Sequence, residues 1–397
     1  MTFIIFVIIL GLLVLVHELG HFLAAKKAGV QVEEFGFGYP PRALKLGRKW
    51  GTLFSLNWIP FGGFVKIVGE NYEENSKPDS SSPKVQKYTD ISLLGNSSAR
   101  LSQPAQGISE SFGSKNLNFM KVSKKWQAII LVARVTFNII FAWFLFSLGF
   151  VIGLPTPVEN NFGAEVKNPA LTIIEVLPQS PAATAGLKTG DKVKSLSVSN
   201  GETIADVEPQ EVSDFINESA GEVMLQIDRG GEILDFSIIP ETGLVEGKKL
   251  IGISMDMVGI LSLPVHKAFW EGGKVTFQIT YLTIDGLYNL VKDAVKGEAD
   301  ISQVTGPVGI IGLVGDASRL GLPYLITFTA LISINLAIIN LIPFPALDGG
   351  RFVFVVVEAI AKKPINAKFI GALNTIGFAL LIILMLVITY RDILNLF

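Results

Sequence analysis

Four stretches of the chain, residues 3–25, 126–154, 322–345 and 369–390, are long and apolar enough to cross a bilayer, which takes about 20 mostly apolar residues. Inside a bilayer no water is available to satisfy backbone N–H and C=O groups, so such stretches are bound to be helical. Charged residues make up only 17% of the 397 and mean hydropathy is +0.48, against roughly 25% charged in soluble domains. The expected fold class is therefore a polytopic α-helical membrane protein with four transmembrane helices. A net charge of −2 without any basic domain or stripe argues against a nucleic-acid partner. With no cysteine, no disulfide braces an exported part and no thiolate can bind metal. The first apolar run has no Lys or Arg before it and no A-x-A site after it, so it reads as a retained span rather than a cleaved leader.

Charge orients the spans. The loop from residue 26 to 125 carries 15 Lys and Arg against 8 Asp and Glu, whereas residues 155–323 carry 12 against 23. Basic loops stay in the cytoplasm and acidic domains can be translocated, which places both termini and the acidic domain outside. Residues 26–70 form a cytoplasmic, membrane-associated β region, in which 52–68 reads as a hairpin about a central "PFGG". Residues 71–118, rich in Ser, Asn, Pro and Lys, read as a mostly disordered insertion, and 119–154 as the second span.

Within the acidic domain, 160–260, strands alternate with two short helices. Ser180 and Pro181 open one helix that stops at Gly186, "EVSDFINES" is the other, and a hairpin turns at Gly230–Gly231. Some 90 residues of this pattern predict a small, partly open β-barrel with two helices, and "SPAATAGLKTGD" resembles a PDZ domain. Such domains take extended peptides, often C-termini, onto a sheet edge; a spacer that only blocks access is the alternative. Residues 261–321 are too polar to span and read as an amphipathic segment on the outer surface. The third span (322–350), a cytoplasmic-face linker (351–368) and the fourth span (369–391) follow.

Within the first span stands "LVHELGHFLA". His17 and His21 are four residues apart, one turn apart on one helix face, where two imidazoles can share a tetrahedral zinc. Glu18 lies beside that face and can act on a water as general base. An ionised Glu18 in lipid is expensive without a compensating charge, which zinc would supply. A catalytic zinc needs a third protein ligand and an open position. His266 lies beyond the acidic domain, so an acid is expected. Outside the two large loops there are four: Glu18, Asp348, Glu358 and Asp392. Asp392 falls past the last span and Glu358 reads as an interfacial residue paired with a Lys. Asp348 sits in "NLIPFPALDGGRF", where Pro343 and Pro345 break the third span and Gly349–Gly350 permit unusual backbone angles.

"HELGH", "NLIPFPALDGGRF" and a PDZ-like domain between the second and third spans together resemble the site-2 protease family, in particular the bacterial zinc metalloproteases of regulated intramembrane proteolysis. "FGFGYPPRAL", "IPFGGFVKIVGE" and "GPVGI" are similar to that family too. The resemblance implies a zinc ion on His17, His21 and Asp348, with Glu18 activating water. It implies that Asn340, Pro343 and Pro345 position substrate, and that residues 52–68 receive it as an added strand. The substrates implied are single-pass membrane proteins, such as an anti-sigma factor or a signal-peptide remnant, cut near the cytoplasmic side of a bacterial inner membrane. One departure stands out. The family's A-G-P run before the Asn of the second span reads "VARVTFN" here: Asn138 is kept, but Arg134–Val135 replace Gly and Pro. A long cation at that spot is expected to snorkel to the interface. The rival reading, a non-catalytic scaffold that binds peptide tails, has no use for Glu18.

Overall fold

The computed structural model of the protein describes residues 1–70, 117–177, 179–198, 203–205, 208–219, 221–245, 248–297 and 305–394. The insertion expected to be disordered, 71–118, lies outside them but for its last two residues. Among the described residues four helices are long and apolar enough to cross a membrane: α1 (Thr2–Lys27), α2 (Lys124–Ile152), α7 (Leu322–Leu341) and α9 (Ala367–Leu394). Three others are α5 (Val265–Lys296), α6 (Pro307–Leu320) and α8 (Asp348–Ala361). At the centre stands α2, which packs against α1, α5, α7 and α8. Between α2 and α7 lie Ala142, Phe146, Ala330 and Ile334, all buried. Small residues at such a seam bring backbones together, as membrane helices require where lipid offers no hydrophobic drive. At Gly20 of α1, an added Cβ would come within 2.5 Å of the Ala133 carbonyl of α2.

The long helix α5 falls in the stretch expected to be an amphipathic segment on the outer surface. It runs against α2, where Gly272 and Gly273 leave room for Ser147 and Trp143, and Trp143 Nε1 donates to Phe269 O at 2.7 Å. Thr276 faces inward and is satisfied by Gly272 O at 2.7 Å. The apolar spacing looked mixed because one side of the helix packs on α2 while Phe277, Tyr281 and Tyr288 are exposed.

The region after α1 is a two-stranded ribbon of β1 (Val32–Lys49) and β2 (Thr52–Ile67). Its hairpin turn is at Trp50–Gly51, both at positive φ, so 52–68 is not a hairpin in itself. Phe35–Phe37 pairs with Phe54–Leu56 and also with Gly63–Val65. Pro60 to Gly63 is thus the corner at which β2 wraps from one side of β1 to the other. Phe22 of α1 packs edge-on against both Phe35 and Phe54, whose own rings are tilted at 39° to each other.

Between α2 and α5 a seven-stranded sheet forms from β3 (Leu154–Pro157), β4 (Val166–Val176), β5 (Lys192–Val198), β6 (Thr203–Ala205), β7 (Val223–Arg229), β8 (Glu232–Ile238) and β11 (Ile253–Leu261). Its order is β3-β11-β4-β5-β7-β8, with β6 on β5. Two more strands, β9 (Glu241–Val245) and β10 (Lys248–Leu250), pair with each other. Helices α3 (Pro181–Ala185) and α4 (Pro209–Glu218) complete it. The local chemistry is what the sequence predicts: Ser180 Oγ caps α3 by accepting from Ala183 N, and Gly186 ends it at φ 91°. Ile173, Leu196, Val212, Ile216, Leu225 and Ile227 form its core, each side chain contributing about 1.5–3 kcal/mol on burial. Asp191 and Arg229 brace one end through bonds of 2.7 Å, and this pairing holds the guanidinium pKa above its ordinary value.

Candidate active site

The antiparallel seam of α1 and α2 builds the site. His21 and His17 on α1 face Ile130, Arg134 and Asn138, which recur every fourth residue and so share one face of α2. Because Gly20 brings the two helices together, these contacts are short. His21 Nδ1 lies 3.1 Å from Ile130 O. A carbonyl only accepts, so that ring nitrogen carries a hydrogen and Nε2 presents either a lone pair or a second proton. His17 Nδ1 lies 3.1 Å from the Asn138 amide, whose Oδ1 is otherwise unpartnered and buried. A half turn of the amide sets that oxygen on Nδ1–H and frees His17 Nε2 as well.

Asp348 arrives from the break between α7 and α8. Residues 342–347 are irregular, with Ala346 at φ 75°. Neither Gly349 nor Gly350 has positive φ, so their role is space and not unusual angles. A Cβ on Gly349 would strike the Leu341 and Ile342 carbonyls, and one on Gly350 the Phe344 carbonyl. The turn folds tightly onto the first turn of α8 and delivers Asp348 to α1, with Asn374 Oδ1 accepting from Ala346 N at 3.2 Å.

Two acceptor pairs result. His17 Nε2 lies 3.3 Å from Asp348 Oδ2, and His21 Nε2 lies 3.3 Å from Glu70 Oε2. Glu70 follows β2, and elimination among the acids missed it because it belongs to a large loop. Burial pushes its carboxyl up, but the His21 ring, Arg134 and Arg351 outweigh this and hold it at about 2. Arg351 Nη1 is 2.7 Å from Glu70 Oε1.

The second surprise is Arg134. It does not snorkel. Its side chain is 12% exposed, with Nη1 at 2.6 Å from Asp348 Oδ1 and Nη2 at 3.5 Å from Glu18 Oε2 and 3.8 Å from Glu70 Oε1. Glu18 Oε2 and Arg134 Nε are both buried without a hydrogen-bond partner. A cavity of about 410 Å³ opens onto this cluster, lined by residues 64–67 of β2, Glu70, Arg134, Ala346, Asp348 and Arg351.

Among the described residues no three of the His, Asp and Glu groups close on one point; the guanidinium of Arg134 stands among the carboxylates. Yet the donor set fits zinc. Two imidazole nitrogens and two carboxylates face one another in acceptor pairs, an arrangement stable only with a proton or a metal ion between them. The unpartnered Glu18 oxygen is the further sign of an absent donor.

The remaining sequence candidates make contacts of other kinds. Asn340 is half-buried and donates to Leu336 O of its own helix at 2.9 Å. Pro343 and Pro345 form the break itself. Glu358 pairs with Lys124 at 2.6 Å, as expected. Asp392 is inside α9, not past it, and accepts from Gly306 N and Gly309 N at the start of α6.

An H-E-x-x-H helix set among membrane helices, with an aspartate delivered opposite, defines a metalloprotease of the membrane. The comparisons agree. A family model described as Peptidase family M50 matches residues 5–384, and the chain belongs to that family. It is similar to "Zinc metalloprotease RasP" of Geobacillus kaustophilus, 31% identical over 98% of this chain and 96% of the relative. "Regulator of sigma-W protease RasP" of Bacillus subtilis is also 31% identical, over 100% and 99%. A "Putative zinc metalloprotease" of Helicobacter pylori is 30% identical over 98% and 99%. The protein is a zinc-dependent endopeptidase of the site-2 type, acting within the membrane.

Proposed function

We propose that this protease cuts the transmembrane segment of single-pass membrane proteins, using His17, His21 and Asp348 as zinc ligands and Glu18 as general base. The observation that carries the reading is Glu18 Oε2, buried without a hydrogen bond and held only by the longer ion contact to Arg134, beside the facing pair of His17 and Asp348. Zinc, when bound, supplies Lewis acidity to a carbonyl and to a water. Glu18 takes the proton of the attacking water and returns it to the leaving amine. Asn138 and the Ile130 carbonyl fix the two imidazoles.

Substrate enters as an extended strand along residues 64–67, whose edge lines the cavity and offers backbone groups for pairing. Asn340, Pro343 and Pro345 hold the unwound segment near the break. The sheet domain acts as a PDZ-like module that admits trimmed proteins and takes peptide C-termini. In support, Ser180–Pro181 opens a short helix between strands and α4 lies close to β10 and β11. The basic loop and acidic domain support an inner-membrane topology with both termini outside and the cut near the cytoplasmic face. By its likeness to a sigma-W regulator, an anti-sigma factor is the substrate class of choice. The test is cleavage of a single-span reporter with a short ectodomain. Cutting by wild type and not by Glu18→Gln, at equal zinc content, supports the reading; equal cutting overturns it.

A further inference from the structure

We propose that Arg134 is a catalytic residue: its guanidinium donates a hydrogen bond to the scissile carbonyl and steadies the negative charge that grows on its oxygen. The inference rests on the site reading above and adds to it a group at a position where the family's motif has none. Three observations carry it. Arg134 is the buried cation of the cluster, clamped through Nη1 to Asp348 at 2.6 Å and facing Glu18 at 3.5 Å. Its Nε–H is buried with nothing to donate to, while Nη1 is bonded to Asp348 and Nη2 makes only the longer ion contacts to Glu18 and Glu70. And it lines the cavity that runs from the edge of residues 64–67 to Asp348, where a strand-like substrate would present its carbonyls.

A buried donor left unmatched is the mark of a site that awaits an acceptor, and a fixed cation beside a low-dielectric cavity acts most strongly where charge develops. The balance of the step is plain hydrolysis. The water oxygen bonds to the carbonyl carbon, the C–N bond breaks, Glu18 carries the proton to the amine, and Arg134 keeps all of its own protons. Arginine serves here because it stays charged while donating through separate N–H groups to protein and substrate at once.

The test uses the full chain with zinc, as wild type, Arg134→Lys, Arg134→Gln and Glu18→Gln. Zinc content, kcat and KM on the single-span reporter are measured, together with the affinity of a peptidyl phosphinate, a tetrahedral mimic of the transition state. The expected result for Arg134→Gln is retained zinc, a kcat lower by about 10²–10³-fold, a KM within a few-fold of wild type and a matching loss of phosphinate affinity. Arg134→Lys is expected to recover part of the loss. Unchanged kcat and phosphinate affinity would overturn the proposal. So would loss of zinc in both Arg134 variants, which would make the residue a structural counter-ion. An active Glu18→Gln would instead sink the reading of the site itself, a separate failure.

Discussion

Helices α1 and α9 look alike from sequence, yet they do opposite jobs. Both are long and almost uniformly apolar. In α1, 33% of the most apolar stretch is buried inside the protein; in α9, 11%. The side chains of Phe378, Ile383 and Leu386 on α9 are exposed, as suits lipid contact, while α1 buries His17, Glu18 and His21. Where solvent is as apolar as the core, periodicity carries little information, and the polar and small residues mark the inner face. Even the lone acid of α9 follows the rule: Asp392 is buried and caps α6.

The comparison can be broken at several points. Asp348→Ala should cost most, since it removes a proposed ligand and leaves Arg134 buried without its closest partner. Metal analysis is expected to show most of the zinc gone and activity abolished; retained zinc would assign the third ligand elsewhere. Next, Gly20→Leu should destabilise by about 3 kcal/mol through overpacking against α2. Ile383→Leu on the exposed face of α9 should stay within about 0.5 kcal/mol, and thermal melts in detergent compare the two. Asp392→Ala removes the bonds to Gly306 and Gly309 and should cost about 1–2 kcal/mol with zinc content unchanged. A further small effect concerns Glu34. Burial pushes its carboxyl up, but bonds from Arg42 and Ser55 outweigh this and hold its pKa below the ordinary value. A lowered folded pKa gives stability that is present above the unfolded pKa and lost as pH falls through the folded one. Arg42→Ala should therefore lower stability slightly at neutral pH, by less than about 1 kcal/mol, and the gap in melting temperature should close in acid.

Much of this was legible before any coordinates. The four spans follow from length and hydropathy, and Asp348 from counting the acids that remain in the membrane. Ser180 and Gly186 bound their helix because cap chemistry is local. What escaped is non-local. Glu70 belongs to a polar loop by sequence and reaches His21 only because β2 wraps round β1. Arg134 looks like a snorkelling cation until three carboxylates from separate elements are seen to surround it. Helix α5 hides its packing face because the partner that accepts Gly272 and Gly273 is more than a hundred residues away.

The most direct test of the central claim is cleavage of the single-span reporter by wild type and Glu18→Gln, with zinc counted in both. A metal-activated water with Glu18 as base requires cleavage by wild type alone at equal zinc content. Equal cleavage by both, or wild type that cuts without any zinc, would contradict it.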